Sequence, residues 1–93
     1  MHSPHALPKF ERQFKKFHPK EQELIREEIR GILAHPDIGE LKKGPLAGIR
    51  AHKFKLHQQL ILLAYEKDAK LKRIYLYAVA THENFYKALE RYV

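Results

Sequence analysis

Ile74-Tyr75-Leu76-Tyr77-Ala78-Val79-Ala80-Thr81-His82-Glu83-Asn84-Phe85-Tyr86 reads as two elements joined at a histidine. A hydrophobic, aromatic-rich run of strand formers stops at a polar cluster led by His82. A short amphipathic helix over about 84–92 should follow, with Phe85, Leu89, Tyr92 and Val93 on one side. Working back from this stretch, Leu60 to Glu66 is a near-continuous apolar run, and Ile49 to Leu56 alternates roughly. His57-Gln58-Gln59 and the segment Lys67 to Lys72 between these runs fit hairpin loops. The spacing therefore predicts a meander of three antiparallel strands over 49–56, 60–66 and 73–81. Apolar runs that barely alternate imply a sheet covered by helices on one face and partly covered on the other.

Ahead of the meander the period is helical. Phe10, Phe14 and Phe17 fall at i, i+4, i+7, opposite Lys9, Glu11, Arg12, Lys15 and Lys16. Pro19 ends that helix and suits the first turn of the next, which should run from about Lys20 to Ala34. Its stripe is Leu24, Ile25, Ile29, Ile32 and Leu33, while Glu21, Glu23, Glu27 and Glu28 read as a solvated face. Pro36 closes the helix, and residues 36–48 form a turn-rich link. His5-Ala6-Leu7 can add a short edge strand beside Pro8. The order (β)αα-βββ-α makes the chain one α+β domain over 1–93, with the helical pair on one sheet face. The opposite face and its open end are left for function.

Charge narrows that function. Lys and Arg number 18 against 11 acids, a net +7. The second half, 44–93, carries nine basic and four acidic residues, so the strands hold most of the excess. Such an imbalance favours a polyanion, above all nucleic acid or the ribosome, through counterion release and steering. There is no cysteine, hence no disulfide framework and no thiolate metal site. His2 and His5 lack a third ligand nearby, so no metal is expected. Met1-His2-Ser3-Pro4-His5 has no secretory apolar core, and the run from Leu60 to Tyr65 is too short to span a bilayer. A cytoplasmic location is the expectation.

Four groups carry candidate chemistry. Arg50 and His52, two apart on a strand, share one face; Lys53 and Lys55 share the other. Arg50 can grip a phosphate with two N–H groups, and His52 can donate to it or take a proton. An exposed polar strand face is the alternative reading. His82, at a strand end, can act as general acid or base, or can simply start a helix. Tyr86 is the freer ring beside Phe85 and can stack on a base, or it can pack.

Three pieces carry a family resemblance: Leu41-x-x-Gly44-x-Leu46-x-Gly48-x-Arg50-Ala51-His52, the run Leu60 to Tyr65, and Ala78 to Tyr86. With the element order they resemble the RelE/ParE toxin superfamily of bacterial type II toxin–antitoxin systems. Arg50-Ala51-His52 and Thr81-His82 look most like its YafQ-type branch. The resemblance implies a compact toxin of two helices on a curved antiparallel sheet, needing no metal or organic cofactor. It implies a ribosome-dependent endoribonuclease (an mRNA interferase), held inactive by a cognate antitoxin. His82 would be the acid or base and His52 its counterpart. Arg50 would clamp the phosphate, Lys53 and Lys55 would contact RNA, and Tyr86 would orient the nucleotide. These groups are expected to meet in a single pocket. Many members carry an arginine in the third strand where Leu62 or Leu63 stands here. That departure leaves an alternative: a ParE-like inhibitor of DNA gyrase, or a non-catalytic nucleic-acid-binding member of the fold.

Overall fold

The elements run β1 (Ser3–Ala6), α1 (Pro8–Lys15), α2 (Pro19–Ala34), β2 (Glu40–Leu41), β3 (Arg50–Leu56), β4 (Gln59–Asp68) and β5 (Arg73–Thr81). They come from a computed structural model that describes residues 2–44, 47–82 and 84. Both helices start on proline, whose fixed φ and missing N–H suit the first helical position. The start of α2 is sealed by His18. Its ring accepts the Lys20 N–H at 3.2 Å, and the Glu21 carboxylate accepts the His18 N–H at 3.0 Å. One of the seven histidines is thus a capping residue. α1 ends at Lys15, short of Phe17, which lies beyond the last helical turn yet still packs against the core.

The strands form one five-stranded sheet in the order β1-β5-β4-β3-β2. β1 runs parallel to β5, with Ser3 beside Arg73 and Ala6 beside Leu76. The other pairings are antiparallel. The expected meander is present, with Lys67 and Asp68 belonging to β4 rather than to the loop, and with two further changes. The first turn is only His57-Gln58, because Leu56 already pairs with Gln59, and His57 takes the left-handed conformation at φ 59°. β2, absent from the sequence reading, pairs Glu40 and Leu41 with Ala51 and Arg50. Two residues are too few to show an alternating pattern.

Strand alternation divides the core. Phe54, Leu56, Ile61, Leu63, Tyr65, Ile74, Leu76 and Val79 meet Phe10, Ile25, Ile32 and Leu33 of the helices. Ile49, Ala51, Leu62, Ala64, Ala78 and Ala80 form a second cluster on the other face. The register shifts at Ala64/Tyr65, which face Ala78 and Leu76 and leave Tyr77 as an extra residue in β5. That bulge resets the phase of β5, so that Ile74, Leu76 and Val79 can all face the helices. It explains why the run from 73 to 81 barely alternates. Each large side chain buried this way contributes about 1.5–3 kcal/mol.

The expected C-terminal helix lies, apart from Asn84, outside the described residues. Among the described residues no helix is long and apolar enough to cross a membrane.

Candidate functional site

Arg50 and His52 share a face, as alternation requires, and it is the face that the helices cover. Arg50 donates to the carbonyls of Asp37 at 3.3 Å and Gly39 at 2.9 Å, and ion-pairs with the Asp37 carboxylate at 3.2 Å. The guanidinium therefore clamps the loop leaving α2. The imidazole of His52 lies 2.8 Å from the Glu28 carboxylate of α2 and stacks on Phe54 at 5.7 Å. Glu28, read above as part of a solvated face, instead ties α2 to β3. These partners correct the expectation of a single pocket. His52 is level with Leu63 and Val79 across the sheet, whereas His82 follows the end of β5. Two strand spacings and three residues of strand separate their backbones by about 14 Å.

The same loop is held from β4. The buried Tyr65 hydroxyl donates to the Pro36 carbonyl at 2.6 Å and accepts the Gly39 N–H at 2.9 Å. Burial pushes its phenol above the usual value, against the pull of the Gly39 N–H. Gly39 has no room for a side chain, since a Cβ there would sit 2.8 Å from the Tyr65 oxygen. Asp37 completes the clamp with Lys67, whose ammonium hydrogen-bonds to it at 2.9 Å. That bond and the Lys67 charge, with Arg50 behind them, hold the Asp37 carboxyl below its usual value. None of this was legible, because its partners lie 11 to 30 residues apart. Tyr65→Phe leaves the Gly39 N–H and the Pro36 carbonyl without their partner. It should lower stability by about 1–3 kcal/mol, read as a lower urea midpoint at unchanged slope. A midpoint equal to wild type would mean that the hydroxyl does not hold the loop.

The opposite face is different. Lys53 and Lys55 are exposed there, opposite Leu62 and Leu60 of β4. At the same end β5 stops at the Ile61–Thr81 pair and delivers His82, also exposed. His82 lies one residue past that pair and Lys55 one residue past Phe54, the β3 partner of Ile61. Two strand spacings then set Lys55 and His82 about 10 Å apart. At the far end of this face Tyr77 donates to Glu66 at 2.9 Å. Tyr86 lies outside the described residues. Among the described residues, no three His, Asp or Glu side chains are grouped to hold a metal ion. Two cations and an imidazole on an open sheet end can neutralise a phosphate and move a proton beside it.

Comparison with known proteins gives a consistent picture. A family model described as the ParE-like toxin of type II bacterial toxin–antitoxin systems matches residues 5–90. No curated protein matches in sequence. In fold, the chain is similar to the RelBE2 toxin–antitoxin complex of Mycobacterium tuberculosis: TM-score 0.76, 18% identity, 87% of this chain and 98% of that one. The isolated RelE toxin of E. coli gives TM-score 0.71 at 16% identity, with 100% of both chains covered. A mutant E. coli RelE in complex with a peptide of the antitoxin RelB gives 0.68 at 16% identity, over 97% of this chain and 96% of that one.

Proposed function

Because the chain belongs to the ParE-like toxins of type II bacterial toxin–antitoxin systems, we propose that it is an mRNA interferase: a metal-independent endoribonuclease acting on ribosome-bound mRNA. The observation that carries this reading is the open end of the sheet, where exposed Lys53, Lys55 and His82 gather. An RNA strand laid across that end is cut by its own 2′-OH. The 2′-oxygen attacks the adjacent phosphorus and gives its proton to solvent. The bond from phosphorus to the 5′-oxygen breaks, and the His82 imidazolium protonates the departing oxygen. The products are a 2′,3′-cyclic phosphate and a 5′-hydroxyl. Lys53 and Lys55 offset the charge that builds on the phosphate as it becomes five-coordinate. Arg50 and His52 act through the scaffold: one fixes the loop at 36–39, the other holds α2 against β3. Tyr86 is assigned to orient the nucleotide.

A cognate antitoxin is the partner that this reading requires. Exposed Lys53 and Lys55 favour a neutralising segment rich in acids, which competes with RNA for the same charges. The ribosome and mRNA are its targets, with no organic cofactor.

Primer extension on mRNA from programmed ribosomes, with end-group analysis for the cyclic phosphate, tests the reaction. Gyrase poisoning with intact mRNA would overturn it. Binding to single-stranded RNA tests the cations. The double variant Lys53→Ala/Lys55→Ala should flatten the dependence of log affinity on log salt by about 1.4. An unchanged slope would remove both lysines from the interface.

A further inference from the structure

Above Leu76 the outer edge of β5 has, among the described residues, no strand beside it, because β1 pairs only with residues 73–76. α1 covers part of that edge. The Gln13 side-chain oxygen accepts the Val79 N–H at 3.0 Å. Beside this bond lies a groove of about 290 Å³, lined among the described residues by Gln13, Lys16, Phe17, Val79, Ala80, Thr81 and Asn84. We propose that this groove holds the base of one nucleotide of the mRNA, next to the phosphate that is cut, and so governs which positions are cleaved. The proposal rests on the nuclease reading above and adds a subsite to it.

Size and chemistry both fit a single unstacked nucleotide. The groove has about the volume of a base with its ribose, near the lower end of ordinary ligand pockets. Phe17 is half-buried and held by the core, so it offers a fixed aromatic surface for stacking. Asn84 is exposed and carries both an amide donor and an acceptor, which suits a base edge. Alternation sets the Thr81 N–H and carbonyl on the same strand edge as the Val79 N–H, so main-chain groups face the groove as well. Lys16 is exposed at the rim, where an ammonium can meet the attached phosphate.

Position ties the groove to the chemistry. Thr81 and Asn84 line it, and His82 lies between them in the chain. His82 is thus one residue along the chain from Thr81 and two from Asn84, at the rim of the sheet that the groove borders. The cations continue outward: Arg12, Lys15, Lys16 and Lys20 lie exposed along α1 and the start of α2. They give an incoming strand a basic path to the groove. Gln13 then has two duties. Its oxygen fixes β5, and the residue lines the groove.

The four nucleoside 5′-monophosphates, titrated one at a time into ¹⁵N-labelled full-length protein, test the site directly. Saturable shifts are expected at the amides of Gln13, Phe17 and Thr81, with one base preferred. Asn84→Ala and Lys16→Ala should each weaken that binding by about fivefold. On programmed ribosomes, Asn84→Ala should redistribute the cuts among mRNA positions. No saturable shift with any of the four, or equal binding by both variants, overturns the subsite even if wild type cleaves mRNA. Shifts in the groove with intact mRNA leave the subsite standing and overturn the nuclease instead.

Discussion

His82→Ala is expected to reduce mRNA cleavage by about 100-fold or more, the usual range for losing a positioned acid or base. The side chain is exposed and follows the last paired residue of β5, so its removal takes nothing from the sheet. Thermal midpoints of variant and wild type should agree. Loss of activity without loss of fold separates chemistry from scaffold. The contrast with His52→Ala sharpens this. That change cuts the bond to Glu28 and the stack on Phe54, so it should lower the midpoint as well as the rate. Primer extension after matched induction, with calorimetry on the purified proteins, reads both. A His82→Ala protein that cleaves as well as wild type would remove the imidazole from the mechanism.

The largest effect on stability is expected at the sheet centre. Leu63 is fully buried between His52 of β3 and Val79 of β5, beneath the helices. Leu63→Ala removes its apolar contacts and leaves a cavity that flanking strands cannot close, at a cost of about 2–5 kcal/mol. A domain of this size has about 5–15 kcal/mol in total, so a large share of it is at stake. The thermal midpoint should fall by at least about 8 °C. By comparison, the exposed pairs Arg26–Glu23 and Arg30–Glu27 on α2 contribute about 0–1 kcal/mol each. Denaturant titrations of Leu63→Ala and Glu23→Gln give the ranking. A larger loss in Glu23→Gln would mean that surface charge, rather than the layer between sheet and helices, sets stability.

The helices and the meander were legible because each segment repeats its own period long enough to be seen. The pairing of Arg50 with His52, and of Lys53 with Lys55, followed from alternation alone. Which pair would be covered did not follow. That depends on where α2 docks, and the contact that reports it joins Glu28 to His52 across 24 positions. Tyr65 was hidden in the same way: as the end of an apolar run it gave no hint that its hydroxyl fastens the loop after α2. The groove beside β5 depends on where β1 stops pairing, a register that no local pattern encodes. At the departure, Leu62 and Leu63, both side chains are fully enclosed, on opposite faces of the sheet.

The pairing of Ser3–Ala6 with Arg73–Leu76 has a consequence for biosynthesis. The opening strand of the chain has nothing to pair with until some seventy further residues have been made. Until then the phenylalanines of α1 have no β5 to pack on, and Gln13 has no Val79 to hold. A nascent chain is therefore not yet a poison. Residues 73–81 must have left the ribosome before the molecule can close. That delay is an interval in which a neutraliser made alongside can arrive first.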